Sequence, residues 1–358
     1  MTKPPRALLV VVTALLTLTS VACGGELLFP LDGSPPSSGS AEDDPRRDDP
    51  PGDDPPPDNP PPDDPPPDDP PPDDPPPDDP PPDDPPANDC YSEPIFPTAN
   101  ITALVAFYGG GGWQQELIDI MDARHPATGA LLDAQRQDSY FFQFSDSSSW
   151  SGMVGWLDTL SHEETHLFNA YEAMDRGAHH VLFLRGDLIL ELPEPPDDMA
   201  RSRIYGDLDS EARSGIYAPT YLTGEQGSRG VVALLDETSC YLNEIGALGS
   251  VGEHYPGYGV SLRDGTWAFL YFVGEYLTVL RAEELSTWQA LHAEPAYRDA
   301  VQLLWQRAHF LMPFAEAHPS LGVDDDLYRE LAHDQARMEE VSQFIDATVG
   351  DSPCVTPR

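Results

Sequence analysis

Hydrophobic and polar positions divide the chain into three stretches of different texture. An apolar run occupies residues 7–18, apolar side chains all but vanish from residues 42–89, and from residue 90 onward they return in periodic segments. Within that last stretch, residues 101–108 (ITALVAFY) and 139–145 (SYFFQFS) are short apolar runs that read as strands. Four glycines follow the first, at 109–112, and a helix is expected over 113–123. No Gly-Lys-Ser/Thr completes a phosphate loop there, so the glycines read as a tight connection.

Residues 153–176 carry an apolar stripe at helical spacing, Met153, Trp156, Leu157, Leu160, Leu167, Phe168, Tyr171 and Met174, and Gly177 stands where a helix cap belongs. Residues 181–192 alternate around Arg185-Gly186-Asp187 and predict a β-hairpin. Residues 194–230 show little periodicity and predict a long loop or lid, after which helices are expected over 231–248, 267–282, 284–292, 297–317 and 328–349. Strands first and helices afterwards predict an α+β domain over 90–358, with a small N-terminal sheet, one helix bearing the site and a mostly helical C-terminal lobe.

The two earlier stretches change the setting. Lys3 and Arg6 precede the apolar run, and small residues and Cys23 follow it. That is the layout of an export signal over residues 1–22, too short for a comfortable membrane span. Ser20-Val21-Ala22-Cys23-Gly24 resembles a bacterial lipoprotein signal, although Ser20 stands where leucine is usual. The resemblance implies a lipid on Cys23, anchorage to a bacterial membrane and, with Gly24 after the cysteine, an outer-membrane or surface destination. Beyond a short tether at 23–41, residues 42–89 repeat Asp-Asp-Pro-Pro-Pro. Proline rings and mutually repelling aspartates cannot form a core, so a stiff, polyproline-like stalk is expected, spanning about 120 Å at most. The repeat offers no loop that would converge oxygen ligands on calcium.

The chain's net charge is −43, and the stalk, with 19 acids and two arginines, contributes −17 of it. About −26 remains on residues 90–358, which argues against nucleic acid as a partner, since phosphate binding needs a basic surface. With Cys23 assigned to lipid, Cys90, Cys240 and Cys354 remain. Cys90 and Cys354 bracket the domain, and a disulfide between them is the expected pairing in an oxidising compartment, leaving Cys240 as a free thiol.

The candidate chemistry lies on the helix at 153–176, as His162-Glu163-Glu164-Thr165-His166. Residues four apart share a helix face, so both imidazoles can reach one metal ion, with Glu163 beside it to take a proton from water. The histidines' helical neighbours, Gly155, Thr159, Ala170 and Ala173, are small and uncharged, which suits the floor of a cleft better than a solvated face.

The motif resembles that of zincin-type zinc metallopeptidases. In the metzincin version a glycine and a third histidine follow, but here Asn169 and Glu172 occupy those places. The gluzincin version takes a glutamate from a later helix. Glu237 is the first choice for that ligand and Glu244 the second, both on an otherwise apolar stripe with Tyr241 and Cys240, where a buried acid needs a cation. The resemblance implies a zincin-like fold and a Zn2+ held by His162, His166 and Glu237. It also implies Glu163 as general base toward a peptide or protein substrate, with the strand at 139–145 as an edge for that substrate.

Tyr241 and His254 are candidates to stabilise an oxyanion, as is Tyr258, and Asp236 or Asn243 to orient a histidine through its second ring nitrogen. His179 and His180 follow the helix too soon to fold back onto it. The competing expectation is a surface-displayed lipoprotein that binds or supports without catalysis. Oligomeric state leaves no trace in the sequence.

Overall fold

The computed structural model of the protein describes residues 91–349, save 197–198, 258–261 and 324. Cys23, Cys90 and Cys354, the export signal, the stalk and Tyr258 lie outside the described residues. Helices of eight or more residues are α1 (Trp113–Arg124), α2 (Pro126–Gln135), α3 (Leu157–Arg176), α4 (Val231–Val251), α5 (Arg263–Glu283), α6 (Leu285–Ala293), α7 (Pro295–Glu316), α8 (Asp325–Ala332) and α9 (Gln335–Ile345). Strands β1 (His180–Arg185) and β2 (Leu188–Leu192) pair antiparallel, Val181 facing Glu191 and Phe183 facing Ile189. They form the single sheet among the described residues.

That architecture corrects the expected α+β, zincin-like class: the described chain is mostly helical, and the N-terminal sheet is absent from it. Residues 101–108 hold a short helix, Thr102–Phe107, begun by Thr102 N–H donating to Asn100 Oδ1 at 3.0 Å. None of its residues is buried, and Phe107 stands in solvent. The second expected strand is the helix Ser139–Gln143, where Phe141 and, just past its end, Phe144 turn into the core while Phe142 points out. Short apolar runs carry no period that separates strand from helix, and a strand here would have no partner for its backbone groups. With no strand at 139–145, the substrate edge expected there is absent as well.

Helix α3 ends as its sequence indicates. Gly177 adopts φ 65° and its N–H reaches the carbonyls of Ala173 and Met174, while Asp158 and Arg176 sit at the helix ends whose partial charges they complement. Its start is later than expected, because a separate turn, Trp150–Val154, capped by Ser149, precedes a break at Gly155 and Trp156. The helix expected at 328–349 is likewise divided, Asp334 accepting from Ala336 N–H to begin α9. Helix α2 was not anticipated, although Pro126 at its first turn is a start signal.

Helix α4 is buried along almost its whole circumference and packs against α3, α5 and α7. The described part of residues 194–230 is not a plain loop. It makes a chain of short turns, Arg201–Gly206, Ser210–Ser214, Tyr217–Tyr221 and Gly224–Gly227, that bury Ile204, Ala212, Tyr217 and Leu222 in the common core. Among the described residues no helix is long and apolar enough to cross a membrane.

Candidate metal centre between two helices

Two helices and one irregular segment bring the site together. The face of α3 that carries His162 and His166 packs against α4, so the small neighbours Thr159 and Ala173 allow close helix contact and do not floor an open cleft. The face of α4 opposite carries Asp236, Glu237, Cys240 and Glu244, within little more than two turns. Glu237, Glu244 and His162 are each at most 6% exposed, whereas the side chains of His166 and Asp236 are 17% and 26% exposed. The site therefore meets solvent on the His166–Asp236 side.

Each imidazole is held at Nδ1 by a carboxylate. Asp236 Oδ2 lies 2.6 Å from His166 Nδ1, and Glu244 Oε2 lies 3.2 Å from His162 Nδ1. A carboxylate acceptor calls for N–H at Nδ1, so Nε2 is the nitrogen left to face a metal once its proton is displaced. Both Nε2 atoms then face one oxygen: Glu237 Oε2 stands 3.5 Å from each. That oxygen is buried, and no donor stands closer to it at ordinary hydrogen-bond geometry. Two donors on one tetrahedral zinc, at about 2.05 Å, sit about 3.3 Å apart, close to each of these two His–Glu237 gaps.

Cys240 joins the same group. Its thiol and one ring nitrogen each of His162 and His166 all lie within 4.8 Å of one another, and these three residues could hold a metal ion. Cys240 is one turn from Glu237, free and buried. Glu244, the second choice for the third ligand, instead serves His162 from the Nδ1 side.

Electrostatics point the same way. Burial opposes a charged His166, but the Asp236 and Glu237 carboxylates outweigh it and hold the ring's pKa well above an ordinary histidine's. Burial likewise opposes the Glu237 charge, yet His166, His162 and Arg201 keep its carboxyl well below the usual range. Burial pushes the Cys240 thiol up to about 12, so it keeps its proton until a metal displaces it. One turn before His162, burial and the Glu244 charge raise Asp158 to about 7. Acids thus outnumber cations around two imidazoles, the imbalance a bound cation relieves.

The remaining site residues take supporting places. Glu163 is 4% exposed between the two histidines. Asn169, where a metzincin would have glycine, donates to Asp236 Oδ1 at 2.6 Å and accepts from Phe183 N–H at 2.7 Å, tying α4 and β1 to α3. Asn243 donates to the Phe183 carbonyl and orients no histidine. Tyr241 packs its ring edge-on to His162 at 4.9 Å and shares a 2.9 Å hydrogen bond with the Tyr221 hydroxyl. His254 lies in the turn after α4, its ring edge-on to Trp150 and its Nε2 3.5 Å from Glu253. His179 and His180 sit beside Glu194, on the hairpin.

Arg201 is the site residue with no forewarning in the sequence. Fully buried, it donates to the Gln226 backbone and side chain and brings Nη2 to 3.9 Å from Glu237 Oε1. It comes from a segment without periodicity, so nothing local marked it. Cys240 could have been found, being three residues beyond Glu237 on the same face. No protein-family model, no curated protein and no solved structure matches the chain.

Proposed function

We propose that the protein is a zinc-dependent hydrolase that cleaves peptide bonds with an activated water, carried outside the cell membrane on a lipid at Cys23. The observation that carries this reading is the convergence of His162 Nε2, His166 Nε2 and the buried Glu237 Oε2. With Nδ1 of each ring engaged by an acid, these three atoms fit a zinc ion as a two-histidine, one-glutamate set. Bound there, zinc supplies a Lewis acid that lowers a water's pKa toward neutrality and polarises a carbonyl. Glu163, next to His162 in the motif, accepts the proton of the attacking water and passes it to the leaving amine. Arg201 holds the other oxygen of Glu237, and Asp236 and Glu244 fix the rings.

A second reading draws on Cys240. If the thiol joins the two histidines and Glu237, four protein donors close the coordination shell, and the ion supports a non-catalytic surface lipoprotein. Metal analysis and peptide hydrolysis by wild type, Glu237→Ala, Glu163→Gln and Cys240→Ser separate the two. The hydrolase reading expects zinc to be lost in Glu237→Ala, and activity to be lost in Glu163→Gln with zinc retained. Zinc equal in wild type and Glu237→Ala sinks the ligand assignment. A thiolate-to-metal absorption band in the Co2+-substituted protein, absent from Cys240→Ser, together with no hydrolysis, supports the closed site.

A further inference from the structure

A second pair of histidines lies on other helices. His309, on α7, and His333, just after α8, bring their Nε2 atoms to 3.4 Å. That is long for an N–H···N bond and close to the roughly 3.3 Å between two imidazole donors on one tetrahedral ion. The His333 ring is locked by its other nitrogen, because Nδ1 donates to the Arg329 carbonyl at 2.8 Å and so leaves the lone pair on Nε2. Indoles fix both rings in place. Trp267 packs edge-on to His309 at 5.6 Å and to His333 at 4.9 Å, while Trp305 stacks on His309 at 6.1 Å.

The pair is also reachable. Both histidines are half-buried and line a cavity of about 450 Å³ whose wall includes Glu316 and Glu330. Glu330 is three residues before His333 and Glu316 seven after His309, and Glu316 is paired at 3.3 Å with Arg329, which lines the same cavity. The two imidazole nitrogens and a solvent path make a partial coordination shell that water can complete.

We propose that His309 and His333 form a second metal site, which takes a late first-row divalent ion through this cavity and copper most tightly. It shares no residue with the centre on α3 and α4, so the two stand or fall separately.

The test uses the full chain freed of metal with a chelator and titrated with Cu2+, following tryptophan fluorescence and bound copper. Trp267 lies against both rings, so filling the site quenches its emission. His309→Asn and His333→Asn should each lose one bound copper and its quench, or bind it at least tenfold more weakly, while His162→Ala keeps both. Folded variants that bind copper as wild type does overturn the proposal. Should those variants unfold, the His162→Ala protein decides by electron paramagnetic resonance. A copper signal split by two imidazole nitrogens supports the site, and its absence overturns it.

Discussion

Asp236 Oδ2 lies 2.6 Å from Nδ1 of His166, and Asn169 steadies the same carboxylate by donating to its other oxygen. The imidazole is thereby aimed with Nε2 toward Glu237. Asp236→Ala should leave the helix content unchanged and weaken zinc about 10–100-fold, the usual effect of removing a partner of a metal-binding histidine. Equilibrium dialysis against a zinc buffer measures it, and an unchanged affinity would show that the contact does not orient the ring.

Gly265 on α5 leaves the space that the Tyr241 ring fills, since a Cβ there would stand 2.2 Å from Tyr241 Cε1. The ring has no room to retreat, being stacked on Phe269 at 4.7 Å and edge-on to His162 at 4.9 Å. Gly265→Ala should cost about 1–3 kcal/mol by overpacking and also lower zinc affinity by displacing His162. Urea unfolding with and without zinc reads both effects.

Asp158 provides a pH signature for the metal-free protein. Its pKa is raised to about 7 by burial and by the Glu244 charge, against about 3.9 in an unfolded chain. Between those values the folded state binds more protons, so this group's contribution makes stability fall as pH rises from about 4 to 7 and level off above. Asp158→Asn should flatten that slope, which urea midpoints across the range would reveal.

Glu93 titrates in the opposite sense. Burial opposes its charge, but Arg307, 3.3 Å away, and His125 bring its pKa down to about 2. The stability it contributes is present above about pH 4.3 and is lost as pH falls toward 2. Glu93→Ala leaves Arg307 buried without its counter-charge and should cost about 3–5 kcal/mol. Thermal unfolding at pH 7 compares the variant with wild type, and a loss below 1 kcal/mol would mean that Arg307 is compensated elsewhere.

Local signals were legible wherever one segment suffices to set its own conformation. The run before Gly177 carries an apolar stripe and a cap, residues 181–192 alternate around a turn, and the acid-bearing stripe at 231–248 repeats at helical spacing. The structure contains α3, the hairpin and α4 at those places. The runs at 101–108 and 139–145 failed as strands because pairing depends on what lies alongside, which no short window contains.

The sequence by itself determined that His162 and His166 share a helix face and that α4 presents a row of acids, because both follow from 3.6 residues per turn. Only the tertiary structure decided which acid meets which nitrogen. Asp236, Glu237, Cys240 and Glu244 lie within little more than two turns of α4, so the rotation and offset of that helix against α3 choose among them. The choice puts Asp236 and Glu244 behind the rings, Glu237 between them and Cys240 within reach. Arg201 arrives from a segment with no period of its own, placed by packing alone.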